Sequence, residues 1–393
     1  MIYTDFQGKE LSLLGFGLMR LPTTPQGDID EAELEAMVDC AIQNGVNYFD
    51  TAYPYHGGMS EIAIGKLLKK YPRSSWYLAD KFPGHQILKS YDPAAIFEEQ
   101  LQKCGVDHFD FYLLHNVYEK SIDTYLDPQW GIIDYFVEQK RLGRIRHLGF
   151  STHGRTELIR SFLDRCGEHM EFCQIQLNYL DWSLQDAQSK VALLKERNIP
   201  VWVMEPLRGG KLCHLPEEDA ARLTALRPDE SIPAWGLRFL QSIPTVSMVL
   251  SGMSSLPQMQ DNLHTFEQRR PLTETELRTL FEVADHMKNS VPCTACRYCA
   301  PHCPMGLDIP LLLEIYNELR VVQQMSTGML IEALPENKRP SACIGCRKCT
   351  RMCPQNIDIP AALHDCAAIF SKMPKWADIC AEREAAALRS KGK

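Results

Sequence analysis

The chain has 393 residues, 45% hydrophobic and 23% charged, with a formal net charge of −8 and a pI near 5.9. That length supports one large core and a second, smaller one, and the balance is that of an ordinary globular protein. The absence of a polybasic run argues against nucleic acid and anionic membrane as partners. No apolar run approaches the ~18–20 residues of a membrane span. The opening stretch Met1–Glu10 has no apolar signal core. The expectation is a cytoplasmic protein in a reducing compartment poor in oxygen.

From Leu13 to about Thr265, short apolar runs alternate with amphipathic ones. The first run is Leu13–Met19. A capping-box-like start, Asp30-Glu-Ala-Glu33, follows. It leads into Leu34, Met37, Val38, Ala41 and Ile42, the stripe of one helix face. Gly45 stands where a helix ends, and Val46–Asp50 reads as the next strand. The unit recurs, with strands expected at 76–81, 109–115, 145–151, 172–178, 200–205 and 246–252. Helices are expected at 60–69, 93–104, 134–141, 156–166, 185–197, 232–240 and 256–265. Eight alternating β/α units at this length predict a closed parallel (β/α)8 TIM barrel. The alternative is an open doubly wound sheet, which usually has fewer strands. Its G-x-G-x-x-G fingerprint is missing after the first strand, where only Gly15-Phe-Gly17 comes near.

A helix over 272–289 leaves the barrel, and a second pattern begins. Cys293, Cys296, Cys299 and Cys303-Pro304 are spaced C-x2-C-x2-C-x3-C-P. The same spacing returns 50 residues later at Cys343, Cys346, Cys349 and Cys353-Pro354. This is the bacterial 4Fe-4S spacing, in which the fourth cysteine of each run ligates the other cluster. One cluster is therefore expected on Cys293, Cys296, Cys299 and Cys353, and another on Cys343, Cys346, Cys349 and Cys303. Zinc is the alternative, but zinc sites bring separated cysteine pairs rather than three evenly spaced thiols and a Cys-Pro. Each run is followed by Ile-Pro, at 309–310 and 359–360, the start of a helix. The whole predicts a small, mainly helical two-cluster ferredoxin-like domain. The expected boundaries are 1–270 for the barrel, 271–290 for a connecting helix and 291–393 for the cluster domain. Trp376–Lys393 reads as a surface helix. The other seven cysteines are scattered singly and read as small core residues.

In such a barrel, chemistry gathers at the C-terminal ends of strands. Asp50 ends the second strand, Tyr55 follows five residues later, Lys81 ends the third strand and His115 the fourth. A free phenol is a poor donor at neutral pH, with a pKa of ~10. A neighbouring ammonium lowers that value, and Asp50 would hold the ammonium in place. Tyr55 could then protonate a carbonyl oxygen as hydride reaches the carbon, with His115 orienting that oxygen.

These residues carry a resemblance. Gly15–Arg20, Asn47–Tyr55, Ser60-Glu61, Lys81, Asp110–His115, Gly143–Ser151, Gln174–Tyr179, Pro206-Leu207 and Asp261-Asn262 resemble the aldo-keto reductase family. The whole chain looks like the branch with a C-terminal two-cluster domain. The resemblance implies that Asp50, Tyr55, Lys81 and His115 form a catalytic tetrad. It also implies a nicotinamide dinucleotide, NADP(H) or NAD(H), along Arg20, Ser151, Gln176, Leu207, Gly252 and Asn262. Three positions depart from the family pattern. Ser151-Thr152-His153 replaces Ser-Asn, Met204 stands where an aromatic stacks on the nicotinamide, and Gln258 stands where an arginine often grips the 2′-phosphate. The second departure leaves room for FMN.

The expected activity is reduction of a small aldehyde or ketone, or the reverse, coupled to electron transfer through two 4Fe-4S clusters. An external carrier such as a ferredoxin is the expected partner, since clusters pass one electron at a time. Two other readings stay open, a flavin-dependent electron-transfer reductase and a non-enzymatic redox-sensing partner subunit.

Overall fold

The computed structural model describes the chain apart from residues 87, 89, 289, 290, 392 and 393 and the side chains of 386–391. Two strands the periodicity did not reveal come first. β1 (Tyr3–Phe6) and β2 (Lys9–Ser12) form an antiparallel hairpin. Gln7 and Gly8 both take positive φ, 53° and 80°, the backbone of a two-residue hairpin turn. Gln-Gly is not the usual Asn-Gly signal, and four-residue strands show too little alternation to stand out.

Eight parallel strands then close a barrel: β3 (Leu14–Gly17), β4 (Tyr48–Asp50), β5 (Tyr77–Phe82), β6 (Phe109–Leu114), β7 (Ile145–Thr152), β8 (Cys173–Gln176), β9 (Val201–Met204) and β10 (Val246–Ser251). Strand β10 pairs with both β9 and β3. The closed sheet is the architecture the β/α alternation predicts. The strands run one or two residues shorter than the apolar runs at several ends. β8, for example, covers 173–176 where the run spans 172–178, because the last residues leave the ladder to build the mouth.

The hairpin plugs the floor. Phe6 and Leu11 pack with Tyr48, Phe111, Phe172, Trp202 and Met248, and the Phe6 and Trp202 rings meet edge-on at 5.0 Å. Beside them, Glu171 accepts hydrogen bonds from His147 Nδ1 at 2.9 Å, the Leu148 amide at 3.0 Å and Gln7 Nε2 at 3.0 Å. It also pairs with Lys140 at 2.7 Å. Burial alone would raise this carboxyl; the donors overcome it and pull its pKa down to about 2.

Around the sheet, α1 (Glu31–Gln43) is capped by Asp30, which accepts from the Glu33 amide at 3.1 Å, and it buries Leu34, Met37, Val38 and Ala41. α2 (Met59–Leu68) and α3 (Pro93–Cys104) cross at Gly65. A Cβ there would stand 2.4 Å from the Cys104 carbonyl oxygen, so only glycine permits this approach. Short helices at Ile122–Leu126 and Glu217–Leu226 were not anticipated.

One compact unit takes in Met1–Trp182 and Asp186–Phe281, and the other takes in Ser183–Gln185 and Glu282–Ala385. The division falls inside the helix Glu274–Met287 rather than on either side of it. Asn289, the expected end of that helix, lies outside the described residues. The second unit is helical, with Ile309–Val321, Met325–Ala333 and Ile359–Ser371 as its main helices. Its core joins Leu307, Ile309, Leu312 and Ile315 to Ile359, Leu363 and Cys366. The last helix, Trp376–Lys391, differs from the solvated helix expected from its composition, since Trp376 and Cys380 are 6% and 2% exposed. Residues 392 and 393 of the expected tail helix lie outside the described residues. No described helix is long and apolar enough to cross a membrane.

Candidate active site and cluster-binding loops

Successive side chains of a strand point to opposite faces, and β5 uses this to bury two charges. Lys81 enters the barrel mouth, while Asp80 turns outward to α2 and α3; both are fully buried. Lys81 Nζ donates to Asp50 Oδ1 and to the Thr51 carbonyl, each at 2.5 Å. The same ammonium lies 5.0 Å from the centre of the Tyr55 ring. Tyr55 opens a tight turn in which His56, Gly57 and Gly58 take φ of 50°, 64° and 89°. The His115 ring meets Tyr55 edge-on at 5.8 Å and 84°. All four residues expected at the strand ends thus converge.

The electrostatics differ in one respect from the expectation. Burial raises the Tyr55 phenol, Lys81 pulls it back, and the net pKa is above the ordinary value. Counting the ammonium alone left out desolvation, which here outweighs it. Burial would lower the Lys81 pKa, but Asp50 and Tyr55 reverse that, so Lys81 stays charged. Tyr55 is therefore held protonated beside a fixed cation.

Further polar groups were not singled out. The His85 ring meets His115 at 4.3 Å, tilted by 58°. It lies four residues beyond Lys81, so its position in the strand-end loop was the available signal. Asp80 accepts from the Lys81 amide at 2.8 Å and faces Cys104 Sγ at 3.7 Å. Burial and the Glu61 carboxylate push its pKa far up, so it keeps its proton. Glu205 takes φ 55° just past β9 and pairs with Arg20 at 3.3 Å. Its other oxygen is buried without a hydrogen-bond partner. Arg208 is fully buried, 3.4 Å from Asp181. An acid and a base flanking Pro206-Leu207 in an apolar context were the missed cue.

The six residues expected along a dinucleotide fall into two groups. Arg20 and Gly252 adjoin, since a Cβ on Gly252 would meet the Arg20 stem at 3.4 Å. Leu207 immediately precedes Arg208 and Gly209, and a Cβ on Gly209 would stand 3.0 Å from the Arg20 guanidinium. Ser151, Gln176 and Asn262 are instead buried and engaged within the protein. Ser151 Oγ accepts from the Asn116 amide at 2.8 Å, Gln176 donates to Asp181 at 2.8 Å, and Asn262 donates to Ser251 Oγ at 2.7 Å. Burial lowers the His153 pKa to about 4, leaving a neutral imidazole at the position after Thr152.

In the second unit the two cysteine runs cross. Cys293, Cys296 and Cys299 ring one hollow with Cys353. Cys343, Cys346 and Cys349 ring another with Cys303. Pro310, Leu313 and Ile359 line the first, and Leu307, Ile309 and Leu363 the second. Among the described residues no two of the fifteen cysteines are joined in a disulfide. Among the described residues, no three His, Cys, Asp or Glu side chains converge tightly enough for a single ion. Four thiols spread round a hollow suit a polynuclear cluster with one iron per thiolate better than a lone tetrahedral zinc.

Comparison with known proteins agrees with this division. The profile of the aldo/keto reductase family matches residues 13–285, and that of a 4Fe-4S dicluster domain matches residues 292–357. An uncharacterized oxidoreductase, YqkF, of Bacillus subtilis is 27% identical, covering 69% of this chain and 92% of its own. An NADH-specific methylglyoxal reductase of Escherichia coli is 29% identical over 51% of this chain and 65% of its own. Among solved structures, the holo form of the aldo-keto reductase AKR11C1 from Bacillus halodurans superposes with a TM-score of 0.57 at 28% identity, covering 70% of this chain and 93% of that one. With its barrel closed and its strand ends so furnished, the chain belongs to the aldo/keto reductase family, and a 4Fe-4S dicluster domain follows the barrel in the same polypeptide.

Proposed function

We propose that this oxidoreductase reduces a small aldehyde or ketone, or oxidises the alcohol, with Tyr55 as the proton donor. The observation that carries the reading is the placement of Lys81 Nζ, 2.5 Å from Asp50 and 5.0 Å from the Tyr55 ring, with His115 edge-on to that ring. A nicotinamide dinucleotide, NADP(H) or NAD(H), supplies the hydride when bound, and Arg20, Leu207 and Gly252 are the residues proposed to hold it. Tyr55 Oη gives its proton to the carbonyl oxygen. Lys81, kept charged by Asp50, stabilises the phenolate left behind. His115 donates a hydrogen bond that fixes the carbonyl.

Cys293, Cys296, Cys299 and Cys353 are proposed to hold one 4Fe-4S cluster, and Cys343, Cys346, Cys349 and Cys303 the other. Each hollow offers the four thiols such a group requires. The clusters supply one-electron transfer, and an external carrier such as a ferredoxin is the proposed partner. The test is Tyr55→Phe in anaerobically prepared, iron-replete enzyme. Carbonyl turnover should fall by about 10²–10⁴-fold, the usual contribution of a positioned acid, with dinucleotide affinity retained. Unchanged turnover would remove Tyr55 as the donor. Met204, half-buried where an aromatic stacks in relatives, favours a second reading with FMN in the mouth. A flavin absorbance band in the same preparation is its test.

A further inference from the structure

The two cysteine runs are internal copies, so each position in one has a counterpart 50 residues away in the other. Framework positions repeat. Arg297 pairs with Asp308 at 3.3 Å as Arg347 pairs with Asp358 at 2.8 Å. Asp308 and Asp358 cap the helices that follow, each accepting from a backbone amide at 3.4 Å. Both helices open with Ile-Pro. Most positions that differ lie on the surface. Apart from the small residues Ala295 and Ala300, which become Gly345 and half-buried Thr350, Thr294, Tyr298, Pro301 and His302 of the first run are replaced by Ile344, Lys348, Arg351 and Met352 in the second. These last eight are exposed.

Residues 293–304 carry one Lys or Arg, Arg297, and residues 343–354 carry three, Arg347, Lys348 and Arg351; neither holds an acid. The side chains of Lys348 and Arg351 enter no hydrogen bond or ion pair among the described residues. Ile344 and Met352, in the same run, are 62% and 44% exposed. In a chain of net charge −8, two cations without an acidic partner, Lys348 and Arg351, share one run with two solvent-facing apolar side chains. Ile344 and Arg347 line the second hollow itself.

Apolar contact inside a ring of like charges is how weak, fast protein encounters are built, because charge steers the approach and sets specificity. Resting on the electron-carrier reading above, we propose that Ile344, Arg347, Lys348, Arg351 and Met352 form the docking face for a small acidic one-electron carrier protein, making the second cysteine run the exchange port. Each encounter moves one electron and no proton. The carrier is oxidised by one electron and the cluster reduced by one, or the reverse.

The experiment uses the anaerobic, iron-replete full chain and a purified acidic two-cluster ferredoxin as probe. Binding is read by interferometry at low and high salt, and electron exchange by bleaching of the visible band. Wild type should bind and weaken with salt. Lys348→Glu/Arg351→Glu should lose roughly tenfold or more in affinity, mainly through a slower on-rate, with iron and sulfide content unchanged. Ile344→Ser should weaken binding at both salt levels. Reversal of Lys372 and Lys375, exposed elsewhere in this unit, should leave it within about twofold. If wild type exchanges electrons with the probe and the double variant binds it as well, the docking face is wrong and the carrier reading stands. If wild type neither binds nor exchanges while dithionite bleaches it, the carrier reading fails too. Duplex DNA bound as tightly as the probe, or self-association abolished by the same variant, would also overturn the proposal.

Discussion

Burying Lys81 against Asp50 makes each residue dependent on the other. Removing one partner leaves an uncompensated charge in the mouth, and Asp50 already has a second oxygen without a hydrogen bond. Lys81→Met should therefore destabilise the barrel by about 3–5 kcal/mol and abolish turnover. Adding Asp50→Asn should restore much of that stability without restoring activity, and denaturant melts alongside turnover assays separate the two effects. At this scale the strand-end residues could be read because a strand's last residue is set by its apolar run. Asp50, Lys81 and His115 each close one. Glu205 and Arg208 could not be read so. Their placement depends on a left-handed backbone at both positions, φ 55° and 48°, which nothing local announces. Nor could the net direction of the Tyr55 shift be read, since burial of a loop tyrosine is a tertiary property.

Elements that pack by close approach are sensitive to one methyl group. At the α2–α3 crossing, Gly65→Ala forces a Cβ against the Cys104 carbonyl, and backbone cannot yield as a flexible side chain does. The expected cost is about 1–3 kcal/mol, measured as a lowered melting temperature. The floor staple at Glu171 makes a pH prediction. Its folded pKa, about 2, is depressed below the ordinary carboxylate range of ~4.3. Its stabilisation is therefore fully present above ~pH 5 and is lost as pH falls toward 2. Glu171→Gln should cost about 2–3 kcal/mol at neutral pH and flatten the acid limb of the stability curve. The barrel elements were legible because helix stripes alternate with apolar strand runs, and some helices also announce their start with a cap, as Asp30 and Asp92 show. The hairpin β1–β2 was not, because its stability comes from Phe6 and Leu11 reaching residues far away in sequence. The helix Met325–Ala333 was missed because it is apolar on most sides and so has no periodicity to detect.

At the scale of the molecule, each unit has a core of its own, aromatic in the barrel floor and aliphatic around the cysteine loops. The second core is small, and Cys299 and Cys349 belong to it. A bound cluster there contributes folding free energy directly. Calorimetry of the iron-replete protein should show two transitions. Stripping iron with a chelator under oxidation should lower or erase the one belonging to 282–385 and leave the barrel transition in place. The repeat of the cysteine runs made this unit readable, since metal ligands must recur at fixed spacing while the surrounding surface is free to diverge. The division inside Glu274–Met287 was hidden, because a continuous helix gives no composition break.

The crossing of the cysteine runs has a consequence for assembly. Each hollow borrows one thiol from the other half, so during synthesis the second is complete once Cys349 has left the ribosome, and the first only with Cys353. Maturation should then be ordered, with intermediate preparations holding molecules loaded at the second hollow before the first. Replacing Cys303 alone should empty the second hollow and spare the first, and native mass spectrometry would see a singly loaded population.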